Sequence, residues 1–301
     1  MEGYLSLYID SLIKEKKKSD NTVEAYRRDV REFIRVLKER GADNPADITE
    51  EHISQYVSYL WKNGRSRSTM SRKLSAVRSF MAFLYGEGAI SDNITVNVRA
   101  PRIEKKEIEF LSIGEIEQLL ALPDDSGKGM RDRALLELMY GTGARVSEVI
   151  DLKIDRVNLS IGYVNITGEH GKARIIPLGR PCRKALEQYI EQARPVFLQR
   201  KGNRKTASGS DYLFVNFRGG KLTRQGIWKI ISSYTQEAGI TQNVTPQVLR
   251  NSFAVHMLQN GADLKSLQEL MGFEDASALQ GYLSATRNRI KEVYDRTHPR
   301  A

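Results

Sequence analysis

Three side chains of this 301-residue chain have the chemistry to work on a phosphodiester. Arg145 stands in Gly141-Thr142-Gly143-Ala144-Arg145-Val146-Ser147-Glu148, and Arg250 in Thr245-Pro246-Gln247-Val248-Leu249-Arg250-Asn251-Ser252-Phe253-Ala254. A guanidinium is planar and permanently charged, so a pair of them suits an anion whose charge grows during reaction. Tyr282 lies ten residues past Leu270-Met271-Gly272. A tyrosine hydroxyl that attacks phosphorus conserves the bond energy as a covalent ester, which a second hydroxyl can reverse without ATP. Each residue also has an ordinary reading. Arg145 is spaced for a helical ion pair with Glu148, Arg250 fits a locally paired helix arginine, and Tyr282 has Leu279 and Leu283 at helical spacing, as a half-buried tyrosine would.

The composition favours a polyanionic partner. Lys and Arg number 47 against 37 Asp and Glu, a formal charge of +10. The one cysteine, Cys182, has no partner for an intramolecular disulfide, and no Cys/His spacing suggests a metal cluster, so a reducing cytoplasm and no cofactor are expected. The N-terminal stretch lacks the apolar core of a signal peptide, and no apolar run approaches the roughly 20 residues of a membrane span.

The elements that must position these residues fall into two sets. Residues 1–88 read as four helices, with apolar positions recurring at three and four residues. They cover Gly3 to Lys16; a helix capped at Asn21 or Thr22 and ended by Gly41; one opening at the imperfect capping box Thr49-Glu50-Glu51-His52; and one from about Ser68. Arg65, Arg67, Arg72, Lys73 and Arg78 lie on or beside the outer face of the fourth helix, a plausible phosphate surface or a solvated face. Periodicity fails over 89–110, read as a linker with Arg99, Arg102, Lys105 and Lys106. Residues 111–301 read as mostly helical, with strands at 163–166 and 174–177 around the turn Gly168-Glu169-His170-Gly171, and a third at 213–215. Helices are expected at about 112–121, 130–141, 146–152, after Pro181, and at 223–238, 246–259, 263–271, 276–283 and 286–296, with the polar stretch 201–211 as a loop. The fold class is therefore mainly α (α+β), with a small antiparallel hairpin in the second domain.

The boxes around Arg145, the hairpin, Arg250 and Gly272 to Tyr282, in that order, resemble the catalytic boxes of tyrosine recombinases, the phage integrase family. The final Lys291-Glu292-Val293-Tyr294-Asp295-Arg296-Thr297-His298-Pro299-Arg300-Ala301 looks like the C-terminus of bacterial Xer recombinases. The resemblance covers nearly the whole chain. It implies an N-terminal four-helix DNA-binding (SAM-like) domain and a catalytic domain closing around duplex DNA as a C-shaped clamp. It also implies Arg145 and Arg250 holding the phosphate and Tyr282 forming a 3′-phosphotyrosyl link at a short inverted-repeat site. Four protomers, homo- or hetero-tetrameric, would be joined by exchange of a C-terminal helix, with no metal or nucleotide, in dimer resolution, chromosome partition or element integration.

Several positions depart from that pattern. Glu169 stands at the usual lysine of the hairpin, where a carboxylate would repel the phosphate, with Lys172 at the second lysine and His170 between them; Lys172, by a shifted register, or His170 is the general acid, or both are exposed turn residues. Gln247 replaces His or Lys, Asn251 replaces the histidine after the arginine, and Phe273 replaces His or Trp. Amides donate hydrogen bonds but transfer no proton at neutral pH, and Phe273 packs without donating. These losses predict a slow or assisted enzyme. The alternative is a catalytically impaired paralogue acting as a sequence-specific DNA-binding, architectural protein; a helix-turn-helix regulator would leave the ordered boxes unexplained.

Overall fold

Four helices account for the first part of the chain in the computed structural model, which describes residues 1–14, 18–95, 107–168, 171–199 and 211–286. They are α1 (Glu2–Lys14), α2 (Asp20–Lys38), α3 (Glu50–Lys62) and α4 (Arg67–Gly86). Their apolar stripes meet in one core, where the Phe33 and Tyr56 rings pack edge to face at 5.0 Å and Tyr8 and Phe80 at 5.3 Å. Two starts differ from expectation by one to three residues, because a better-placed serine does the capping. Ser19 Oγ accepts from Thr22 N–H ahead of α2, and Ser66 Oγ from Thr69 N–H ahead of α4. The imperfect box at Thr49 is completed by a histidine: His52 Nδ1 accepts the Thr49 N–H at 3.1 Å, the role a glutamate usually fills.

The chain divides into two compact units, Met1–Lys106 and Glu107–Ala301. The stretch expected as a linker is packed at both ends. Ala89, Ile90 and Ile94 lie on the first unit's core, and Ile108 and Phe110 on an apolar cluster of the second. Its centre, 96–106, lies outside the described residues.

In the second unit, α5 (Ile113–Ala121), α6 (Gly127–Thr142) and α7 (Val146–Asp151) precede a three-stranded antiparallel sheet of β1 (Val157–Asn158), β2 (Tyr163–Thr167) and β3 (Ala173–Pro177). The expected hairpin forms with Thr167 opposite Ala173 and Ile166 opposite Arg174, and Gly168 N–H bonds Lys172 O at 2.8 Å. Gly171, at φ 76°, closes the turn as few other residues would. Glu169 and His170 lie outside the described residues, as do the loop 200–210 and the C-terminal helix expected at 286–296, beyond residue 286.

Helices α8 (Arg180–Gln188) and α9 (Arg194–Gln199) run on through a π-helical turn, Tyr189–Ala193. Then come α10 (Arg224–Glu237), α11 (Pro246–Gln259), α12 (Leu264–Met271), a 3₁₀ turn at Ala276–Leu279 and a helical segment at 280–286. The strand expected at 213–215 is not one. Leu213 N–H bonds Leu152 O at 2.8 Å and Val215 N–H bonds the Tyr189 hydroxyl at 3.1 Å, so these buried apolar residues satisfy their backbone without a ladder. No described helix is long and apolar enough to cross a membrane.

Candidate functional site

The site is organised by the C-terminus of α12. That helix stops at Gly272, a left-handed cap at φ 64°, and its last carbonyls have no intrahelical partner. Three consecutive carbonyls instead take three different guanidiniums. Arg174 Nε donates to Leu270 O at 2.8 Å, Arg250 Nη2 to Met271 O at 2.7 Å, and Arg145 Nη2 to Gly272 O at 3.2 Å. The partial negative charge of a helix end suits such cations. Gly143, the left-handed cap of α6 at φ 58°, supplies a fourth carbonyl, which accepts from Arg250 Nη1. A Cβ at Gly143 would collide with Phe253, and one at Gly272 would meet Arg174 Nη1 at 2.9 Å, so the glycines of both boxes are required by space as well as by φ.

Glu148 is the counter-ion at the centre. Its carboxylate accepts both Arg174 amino groups, at 2.8 and 2.7 Å, Arg145 Nη1 at 3.1 Å and the Arg145 backbone N–H at 2.7 Å. Burial pushes this carboxyl up, but the Arg174 hydrogen bonds, the Arg145 N–H and both cations outweigh it and hold it below the usual range. The ion pair foreseen between Arg145 and Glu148 thus exists and serves to aim Arg145. Three arginines against one carboxylate leave the cluster with two excess positive charges.

Arg250 is 3% exposed and bonds only carbonyls through its amino groups. Burial, and then the neighbouring Arg145, push its guanidinium down to about 10, so it stays charged at neutral pH but gains from an anion placed beside it. Phe273 forms the floor. Arg250 lies 5.1 Å and Arg145 5.9 Å from its ring centroid, and the Tyr282 ring packs on it at 6.2 Å.

Tyr282 is buried, and its hydroxyl donates to Asn251 Oδ1 at 3.0 Å. Burial raises the phenol, while Arg250, Arg145 and Gln247 pull it back. Gln247 Nε2 also bonds Asn251 Oδ1, at 2.9 Å. Arg145 lies between two clefts. One, of about 500 Å³, is lined by Lys172, Arg174, Phe273 and Glu274; the other, of about 400 Å³, by Arg224, Trp228, Gln247 and Arg250. Lys172 projects into solvent at 80% side-chain exposure, 3.9 Å from Glu274.

The fold therefore brings Arg145, Arg250, Gln247, Phe273 and Tyr282 together, with Lys172 at the rim. Sequence reasoning missed Arg174, the carbonyl trio of α12 and the use of Asn251. Arg174 had one signal, its position opposite Ile166 in a hairpin whose register the turn glycines set. In the first unit the arginine-rich face needs a correction. Lys73 is 6% exposed and bonds Asp29 Oδ1 at 2.8 Å and Glu32 Oε2 at 2.6 Å. These two carboxylates of α2 draw the ammonium inward, so it offers nothing to a phosphate at the surface. Arg72 pairs with the same Asp29 while remaining 46% exposed, Arg65 lies 4.0 Å from Glu32, Arg67 is exposed and Arg78 half-buried.

Comparison with known proteins agrees with this arrangement. The phage integrase family matches residues 109–289, and the phage integrase N-terminal SAM-like domain matches residues 5–88. Tyrosine recombinase XerD of Listeria innocua is 38% identical over 303 residues, covering 100% of both chains. The crystal structure of XerA recombinase is 28% identical with a TM-score of 0.53, covering 99% of this chain and 100% of that one. XerH site-specific recombinase bound to its difH substrate has a TM-score of 0.67 at 21% identity, over 90% of this chain and 79% of that one, a likeness of fold. With both of its units matched and its boxes folded around one cationic cluster, the chain belongs to the phage integrase family, the tyrosine recombinases.

Proposed function

We propose that this protein cuts and rejoins duplex DNA at a short inverted-repeat site through Tyr282. The Tyr282 oxygen attacks the phosphorus, the bond to the 5′ oxygen breaks, and the 3′ phosphate stays on the tyrosine. The phenol loses one proton and the departing 5′ hydroxyl gains one, so the step is balanced and isoenergetic enough to reverse. Arg145 and Arg250 hold the non-bridging oxygens. The observation that carries this reading is the pair of guanidiniums fixed by helix-end carbonyls and Glu148 around the ring on which Tyr282 packs, with excess charge for an anion. Among the described residues lining the cleft beside Arg145, Lys172 carries the only ammonium, and it is the proton donor to the 5′ oxygen in this scheme. Glu169 does not act as the acid, since a carboxylate beside the phosphate repels it.

Arg65, Arg67, Arg72 and Arg78 of the first unit track the backbone phosphates. Residues 89–110 link the two functions, and the segment beyond 286 joins protomers into a tetramer on two sites. The protein works in the cytoplasm. The test begins with genomic fragments retained by the purified protein, which yield the site. A plasmid carrying two copies is then resolved into two circles by the parent protein and left intact by Tyr282→Phe and by Arg250→Ala. Resolution by Tyr282→Phe would refute the assignment.

A further inference from the structure

The carboxamide of Asn251 is the junction through which the Tyr282 hydroxyl meets the rest of its unit. Its Oδ1 accepts the phenol at 3.0 Å and Gln247 Nε2 at 2.9 Å, while its Nδ2 donates to the Glu109 backbone carbonyl at 2.9 Å. These bonds fix the amide one way round. Turned over, it would set N–H against the Gln247 N–H and oxygen against a carbonyl oxygen. Asn251 is 8% exposed, so water does not replace its partners cheaply. It directly follows Arg250 on α11, which places this acceptor one residue from a guanidinium read as a phosphate clamp.

The direction of the phenol bond matters for attack. A free phenol next to a phosphate turns its O–H toward an anionic oxygen, and that bond points hydrogen at the group the lone pairs must reach. With the hydrogen engaged by Asn251, both lone pairs are left for phosphorus. We infer that Asn251 is a positioning residue for strand cleavage, holding the Tyr282 proton away from the phosphate, with Glu109 and Gln247 fixing the orientation of its amide. The inference rests on Tyr282 being the nucleophile.

The charged groups facing the hydroxyl are Arg145 from the α6–α7 turn and Arg250 from α11. Gln247 and Asn251 are neutral, Phe273 is apolar, and the segment leading into α5 offers the Glu109 carbonyl. A carboxamide and a backbone carbonyl carry no group that ionises between about pH 6 and 9. An amide at this position therefore positions the phenol equally well across that range.

The experiment measures single-turnover adduct formation on a nicked duplex carrying the retained genomic site, with Kd for the same duplex and the melting temperature alongside. The parent, Tyr282→Phe, Asn251→Leu and Asn251→Asp are compared from pH 4 to 9. Asn251→Leu is expected to slow the adduct about ten- to a hundredfold, as a misaimed reactant does, with Kd within about twofold. Asn251→Asp keeps the shape and an acceptor. It is expected to outrun the leucine variant at pH 8 and to lose that advantage as pH falls through the carboxyl's range, an acid limb that a purely structural role does not create. Adduct formation by Asn251→Leu within twofold of the parent overturns the inference, as do identical pH profiles for the two variants. The aspartate profile decides alone if the leucine variant does not fold. A parent that forms no adduct, or a Tyr282→Phe that does, removes the Tyr282 reading itself.

Discussion

Glu148→Gln is the most informative perturbation of the site's scaffold. The glutamate side chain is 4% exposed and its partner Arg174 11%, so the pair is buried. Glutamine keeps the shape but replaces one accepting oxygen with an N–H₂ that faces a guanidinium, and it removes the carboxylate charge paired with Arg174 among the described residues. Removing one partner of a buried ion pair costs about 3–5 kcal/mol. For a domain of 150–250 residues each kcal/mol lowers Tm by about 2–4 °C, so calorimetry at pH 7.5 should find the second unit melting roughly 6–20 °C lower. Because the folded carboxyl lies below its ordinary value of 4.5, its contribution is complete above that value and is lost as pH falls through the depressed one. The gap between parent and variant should thus be constant from pH 6 to 8 and shrink below about pH 4. The double variant Glu148→Leu with Arg174→Leu should recover most of the stability, since apolar replacement of both partners is often neutral. It should not recover cleavage, because Arg145 still lacks its anchor, and a misplaced clamp costs about a hundredfold. A shift under 2 °C, or a gap that persists unchanged at pH 3, would refute the reasoning.

The first unit offers a contrast of surface and buried cations. Arg65→Glu with Arg67→Glu should lower the slope of log affinity against log salt by about 2, near 0.9 per phosphate contact. Lys73→Met should leave that slope unchanged while destabilising the unit by about 3–5 kcal/mol, because Asp29 is buried and loses one of its two cations; titrations from 50 to 200 mM salt separate the two outcomes. Phe273→His puts a donor where only a ring face meets the two guanidiniums, and adduct formation should quicken about tenfold or more. An unchanged rate would mean that the phosphate does not sit over that ring.

The long elements were legible because their periodicity and capping residues agree: α11 runs between Thr245 and Gly261 as Pro246 at its first turn and the glycine beyond its end require. The residues of the boxes were legible through their resemblance to tyrosine recombinases, and the structure adds why the glycines stand there: Gly143 and Gly272 form left-handed caps that point carbonyls at arginines. What stayed hidden were pairings between segments far apart in sequence. Nothing local in Arg174 announces Glu148, and nothing in Asn251 announces the Tyr282 hydroxyl thirty-one residues on. The arginine-rich face was misread at Lys73 for the same reason. A helical wheel places that residue near the polar boundary, but the two carboxylates that draw it in belong to α2.

The most direct test of the central claim is a trapped covalent intermediate. Purified protein is incubated with a nicked duplex from which the freed 5′ strand diffuses away. The denatured mixture is then digested, and the peptide carrying the nucleotide is identified by mass spectrometry. The expected result is a 3′-phosphodeoxynucleotide on residue 282, absent from Tyr282→Phe. Cleaved DNA with the modification on another residue, or tight and specific binding with no adduct in any variant, would contradict it.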